Sequence, residues 1–123
     1  MSIELLMSDS IAMVSPSTSI RDAAERLQIA EVGLLVVGTP DAVQGVVSER
    51  DIVRCVALGA DLDATTVEAI ESDHLKWATV DSTIDTVAEE MMENYLRHML
   101  VADSAGLLVG VVSMRDVLTA YLA

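Results

Sequence analysis

Apolar and polar positions run through the same short cycle twice. In the first pass Ile20, Ala23, Ala24 and Leu27 recur at i, i+3, i+4 and i+7, the spacing of one helix face. Val14 closes a short extended piece ahead of them, and Pro16 to Ser19 supply turn and cap residues. Two apolar runs follow, Gly33 to Val37 and Ala42 to Val47, separated by Gly38-Thr39-Pro40-Asp41. Turn formers between two such runs predict a hairpin. Ser48 then precedes Ile52, Val53, Val56 and Ala57, which predicts a helix from Ser48 to about Leu58 with Gly59 as a left-handed stop.

The second pass keeps the order. Trp77 to Val80 is extended, Ser82 or Thr83 is the cap, and Ile84, Val87, Ala88 and Met91 make a helix face that ends near Tyr95. His98 to Ala102 and Leu107 to Val112 form a second hairpin around Asp103-Ser104-Ala105-Gly106, and Ser113 opens a last helix with Val117, Leu118, Tyr121 and Leu122. Between the passes, Ala60 to Thr65 is small and acidic, and Thr66 to Ile70 makes one helical turn leading into the second copy.

The residues themselves repeat as well as the pattern. Gly45-Val46-Val47-Ser48-Glu49-Arg50-Asp51-Ile52 returns 65 residues later as Gly110-Val111-Val112-Ser113-Met114-Arg115-Asp116-Val117, with six of eight residues identical. At the same offset Leu34-Leu35-Val36-Val37 falls on Met99-Leu100-Val101-Ala102, while Ile20, Ala24 and Leu27 fall on Ile84, Ala88 and Met91 at an offset of 64. A copy of this size is too small to bury a good core alone, so two packed copies are expected to form one module. The expected organisation is a first repeat over residues 1–60, a linker over 61–69 and a second repeat over 70–123.

Composition narrows the core and the partners. Hydrophobic residues make up 52% of the chain while Phe is absent and aromatics are 2%, so Val, Leu, Ile, Ala and Met must fill a helix-on-sheet core, an α/β (α+β) arrangement. The apolar runs Val32 to Val37 and Leu107 to Val112 are far shorter than the roughly 18 residues that cross a bilayer, and no basic flank precedes an apolar core at the N-terminus. The expectation is a soluble, unexported, cytoplasmic protein. A net charge of −13, from 20 acids and seven bases, argues against nucleic acid or an anionic membrane as partner. Cys55 is alone, which excludes an internal disulfide, and helical spacing around it fits a buried small hydrophobe better than a redox sensor.

The candidate chemistry lies where the second hairpin strand of each copy turns into a helix. A helix N-terminus leaves backbone N–H groups unpaired and carries roughly half a positive charge, so Ser48 and Ser113 stand where a phosphate would be held by hydroxyl, amides and dipole together. Arg50 and Arg115 add charge there, and the carboxylates of Asp51 and Asp116 suit the vicinal hydroxyls of a ribose. The same Ser-x-x-Asp spacing also reads as a purely structural capping box, and duplication would copy a cap as faithfully as a site. For Arg50 and Arg115 the competing reading is a surface pair with a neighbouring carboxylate. Enzyme signatures are missing: there is no Gly-x-Gly-x-x-Gly, Walker loop, His-Glu-x-x-His or Cys pair, His74 and His98 lack metal spacing, and Glu89, Glu90 and Glu93 read as a solvated helix face.

The order of elements, with Gly-Val-Val-Ser-x-Arg-Asp at the last strand-to-helix junction, resembles a tandem pair of cystathionine beta-synthase (CBS) domains, a Bateman module of the stand-alone type. The resemblance runs from about Leu6 to Leu122 and is carried by Ser48-Glu49-Arg50-Asp51-Ile52-Val53-Arg54, Arg97-His98-Met99-Leu100-Val101 and Leu108-Val109-Gly110-Val111-Val112-Ser113. It implies two repeats in pseudo-twofold symmetry with clefts between them that take adenosine-containing ligands: AMP, ADP, ATP, S-adenosylmethionine or NAD. Carried over, Asp51 and Asp116 would bind ribose hydroxyls, Ser48 and Ser113 phosphate, and Arg50 and Arg115 would face the phosphates. Arg97 and His98 would reach the same cleft, and the segments Ile11 to Met13 and Lys76 to Ala78 would border the base, with Trp77 as a stacking partner; the competing readings are a half-buried strand residue bonded to backbone for His98 and core or dimer surface for Trp77. Met99-Leu100 stands where the family phrase usually has Leu-Pro, and the first copy has Val32-Gly33 in place of Arg97-His98. No obligatory cofactor and no catalytic residue is implied. The resemblance also suggests a homodimer and an effector protein that reads the ligand state.

Three functions are therefore expected in descending order: an adenine-nucleotide sensor, a ligand-independent dimerisation or adaptor module using Met-rich helices such as Met91-Met92, and a metal or redox responder using Cys55 and the histidines.

Overall fold

The computed structural model describes residues 1–123, and the chain divides into two compact units, Ala12–His74 and Met1–Ile11 with Leu75–Ala123. In the first unit, β1 (Met13–Val14) is followed by α1 (Ile20–Ala30), the hairpin β2 (Leu34–Thr39) and β3 (Ala42–Ser48), α2 (Glu49–Ala57) and the short α3 (Val67–Ile70). The sheet order is β1-β2-β3; β1 runs parallel to β2 with Met13 opposite Val36, and β2 and β3 are antiparallel with Leu34 opposite Ser48. Ser19 starts α1 because its hydroxyl accepts the Asp22 N–H at 3.1 Å, satisfying one of the free donors of the first turn. The apolar face expected from the i, i+3, i+7 spacing is buried: Ile20, Ala23 and Leu27 pack with Leu35, Val37, Val47, Cys55 and Val67. Strand β2 reaches two residues further into the turn than the apolar run alone predicts, since backbone pairing continues through Gly38 opposite Val43 and Thr39 opposite Ala42, while β3 starts at Ala42 as expected.

The second unit repeats the plan with β4 (Trp77–Thr79), α4 (Ile84–Glu93), β5 (His98–Ala102), β6 (Leu108–Ser113) and α5 (Met114–Leu122) in a β4-β5-β6 sheet of the same parallel and antiparallel pairing. Thr83 is the cap of α4, accepting the Thr86 N–H at 3.2 Å. Met91, expected to share a partner surface with Met92, is core instead: it is 1% exposed among Val87, Met99, Val101 and Val112, whereas Met92 is 72% exposed. Helix α1 stops on a non-glycine residue in the left-handed region, Glu31 at φ 54, and after α4 the same conformation comes one residue past the Asn94 cap, at Tyr95 with φ 55.

The units do not follow the halves of the sequence. The first eleven residues pack with the second repeat, where a 3-10 turn at Ile3–Leu5 places Ile3 in the core and Ser8 exchanges two backbone hydrogen bonds with Val111, each 2.9 Å. In the first unit α3 has the equivalent place: Val67 is buried and Ser72 exchanges hydrogen bonds of 2.9 and 3.0 Å with Val46. Each of these straps crosses its outer strand at a glycine. A Cβ on Gly45 would stand 2.8 Å from the Ser72 carbonyl oxygen, and one on Gly110 would stand 3.0 Å from that of Ser8. The glycine that opens each repeated motif is thus required by the strap.

Candidate functional site

The site is built at the β6–α5 junction of the second unit. Ser113 ends the strand with extended backbone and caps the helix: its hydroxyl accepts the Asp116 N–H at 3.1 Å, while Asp116 Oδ2 accepts the Ser113 N–H at 2.9 Å. This is a complete capping box, so the capping reading of Ser-x-x-Asp holds for both junctions. The cap leaves room for more, because it fixes one carboxylate oxygen and presents the rest of the group. Next to it, the Met114 N–H donates to the Arg97 carbonyl at 2.8 Å, and His98 lies opposite Ser113 in the β5–β6 register. The hairpin thereby carries Arg97 and His98 to the start of α5.

Together these residues line a groove of about 540 Å³ formed by Arg97, His98, Ser113, Met114, Arg115, Leu118, Thr119 and Leu122. Its rim has two guanidinium groups and an imidazole and no carboxylate, although the chain carries 20 acids against seven bases. The wall is apolar. Arg115, Leu118, Thr119 and Leu122 stand at i, i+3, i+4 and i+7, so one face of α5 supplies half the lining. That spacing was available in the sequence, and it is how Thr119 and Leu122 could have been found beside Arg115.

The corresponding junction of the first unit holds Ser48, Arg50 and Asp51 and differs in detail. The Ser48 hydroxyl accepts the Asp51 N–H at 3.3 Å and also donates to Asp51 Oδ2 at 3.0 Å, and Arg54 Nη1 lies 3.3 Å from Asp51 Oδ1. Glu49 stands where the second unit has Met114, and its N–H donates to the Gly33 carbonyl at 3.1 Å. Arg50 and Arg115 are both exposed, and neither makes the surface ion pair that was the alternative for them. Of the nine expected site residues, Arg97, His98, Ser113 and Arg115 line one groove, and Asp116 is bound to it through Ser113. Ser48, Arg50 and Asp51 sit at the other junction. Trp77 lies on β4 opposite Leu100, 37% exposed, and is not part of the groove lining.

Cys55 is buried at 7% exposure in the first core, no group of three or more His, Cys, Asp or Glu is placed to hold a metal ion, and no helix is long and apolar enough to cross a membrane.

Comparison with known proteins agrees with this architecture. The CBS domain family model matches twice, over residues 2–58 and 67–123. An uncharacterized 17.7 kDa protein of Acidianus ambivalens is 33% identical over 113 residues, covering 91% of this chain and 68% of its own. Among solved structures, an uncharacterized conserved protein from Pyrococcus horikoshii is 31% identical with a TM-score of 0.88, covering 99% of this chain and 92% of its own. The CBS domain protein PAE2072 from Pyrobaculum aerophilum, solved in complex with AMP, is 30% identical with a TM-score of 0.86 over 100% of both chains. With two family matches that between them span both repeats, and with the strand, helix and hairpin order seen in each unit, this chain belongs to the CBS domain family as a tandem pair.

Proposed function

We propose that this CBS pair is a regulatory, non-catalytic module that binds an adenosine-containing ligand at the β6–α5 junction, with AMP, ADP or ATP ahead of S-adenosylmethionine and NAD. The observation that carries this reading is the gathering of Arg97, His98, Ser113 and Arg115 around one carboxylate-free groove beside Asp116 in a chain of net charge −13. In this reading Asp116, held by its cap bond on Oδ2, accepts the ribose hydroxyls. The Ser113 hydroxyl and the guanidinium groups of Arg97 and Arg115 take the phosphate, with His98 beside them. The apolar face of Met114, Leu118 and Leu122 covers the uncharged part of the ligand. The AMP complex of the similar PAE2072 supports the ligand class.

A thermal-shift panel with AMP, ADP, ATP, S-adenosylmethionine and NAD tests it. A ligand at 100 times its dissociation constant adds about 2.7 kcal/mol, several degrees for a domain of this size. The account predicts a rise with at least one member that is lost in Asp116→Asn, a change that keeps an acceptor for the cap. A flat panel overturns it and leaves the adaptor reading.

One observation also favours a second copy as partner. Ile29 on α1, Val53 and Val56 on α2 and Met92 on α4 are 80%, 65%, 57% and 72% exposed, an apolar share that a homodimer would cover. We propose a homodimer, read by an effector protein when ligand binds; sedimentation showing a monomer at tens of micromolar would remove that part.

A further inference from the structure

We infer that the two strand-to-helix junctions have divided their work: the second takes the nucleotide, while the first is disfavoured by Arg54 on its carboxylate, by Glu49 and by the lack of a counterpart to Arg97-His98, so that one chain binds one ligand. The inference rests on the nucleotide reading above. Arg54 stands one turn beyond Asp51, and its Nη1 sits 3.3 Å from Asp51 Oδ1. Asp51 Oδ2 is taken by the Ser48 N–H at 2.8 Å and the Ser48 hydroxyl at 3.0 Å. Both oxygens of the first carboxylate are therefore engaged, and the serine's proton is spent on it. A guanidinium offers a carboxylate the same pair of donors that a vicinal diol offers, so the two compete for one place.

The second junction has the opposite arrangement. Sixty-five residues after Arg54 stands Thr119, whose hydroxyl donates back to the Arg115 carbonyl at 2.8 Å and adds no charge. Asp116 has its cap bond on Oδ2 and no guanidinium on Oδ1. The neighbours reinforce the contrast, because Glu49 adds a carboxylate where Met114 is neutral, and Val32-Gly33 lack the charge of Arg97-His98. An anion thus meets Arg97 and Arg115 with no carboxylate among the lining residues at one junction, and Arg50 beside Glu49 at the other. The residue at position 54 or 119 decides whether the junction carboxylate is open.

Calorimetric titration with AMP, and with adenosine as a probe lacking the phosphate, tests this. The wild-type chain binds one AMP, and Asp116→Asn removes all of the heat rather than half. Thr119→Arg recreates the Arg54 contact and weakens adenosine about two- to fivefold, the scale of displacing an exposed ion pair. If the added charge instead tightens adenosine, the closing role is overturned. Glu49→Met with Arg54→Thr opens the first junction and adds a second, weaker AMP event; its absence overturns the role given to Arg54. Two equal sites in the wild type overturn the division of work while leaving the nucleotide reading intact, whereas no AMP or adenosine binding by any variant removes both.

Discussion

The strap that precedes the first repeat should be as much a part of the second unit as any of its strands, and Ile3→Ala measures this. Ile3 is 0% exposed and packs within the cluster of Ala78, Val87, Met91, Met99, Val101, Val112 and Val117. Its N–H donates to the Ser82 carbonyl at 2.9 Å, so the residue is anchored by backbone as well as by side chain. Truncating a fully buried isoleucine to alanine removes the transfer energy of the lost carbons and leaves a cavity that a close-packed core fills only in part, about 2–5 kcal/mol in all. Leu5 lies in the same 3-10 turn but is 75% exposed, so Leu5→Ala should change stability by no more than roughly 0.5 kcal/mol. Urea unfolding with an unchanged slope would report the two values side by side. If Ile3→Ala costs less than about 1 kcal/mol, or no more than Leu5→Ala, the strap does not complete the core.

Other perturbations address the strap crossing, a tyrosine and the groove. Gly110→Ala forces a Cβ to within 2.5 Å of the Met7 sulfur and 3.0 Å of the Ser8 carbonyl oxygen, so it should destabilise by about 1–3 kcal/mol in the same urea assay even though alanine stiffens the unfolded chain. The Tyr121 hydroxyl donates to Asp85, which holds its pKa above the ordinary 10.0. That contribution to stability is present below pH 10.0 and lost as the pH rises through the higher folded value. Asp85→Asn should move the phenolate absorbance transition of Tyr121 down, and an unmoved transition would deny the contact its role. Arg97→Ala and Arg115→Ala should each weaken AMP about ten- to a hundredfold, the worth of a charge-assisted hydrogen bond, with far less effect on adenosine. Equal losses for both ligands would mean that neither arginine faces the phosphate.

Much of this architecture was legible because it was written twice. The helix faces through Ile20 and Ile84, the two hairpins and the serine caps at positions 48 and 113 followed from periodicity, turn residues and repetition, and each lies within a residue or two of its expected place. The straps were less visible. Ser2-Ile3-Glu4 and Thr66-Val67-Glu68 correspond, as do Ser8-Asp9 and Ser72-Asp73, yet the shared residues are few and the segments too short for a period to register. Which unit a strap joins is a matter of chain path, and apolar spacing carries no information about that. The same holds at the junctions: two motifs that look alike as letters differ in whether Arg54 or Thr119 stands one turn later, and only the side-chain distances show that one carboxylate is engaged by a guanidinium. The grouping of Arg97 and His98 with Arg115 required the β5–β6 register, in which His98 falls opposite Ser113.

The central claim is that the β6–α5 junction holds the nucleotide, and amide chemical-shift mapping during an AMP titration of the intact chain tests it most directly. The account predicts that the largest saturable shifts fall at Arg97 to Met99 and Ser113 to Val117, with the amides of Ser48 to Ile52 changing little. Saturable shifts centred on Ser48 to Ile52, or no shift at millimolar AMP, would contradict it.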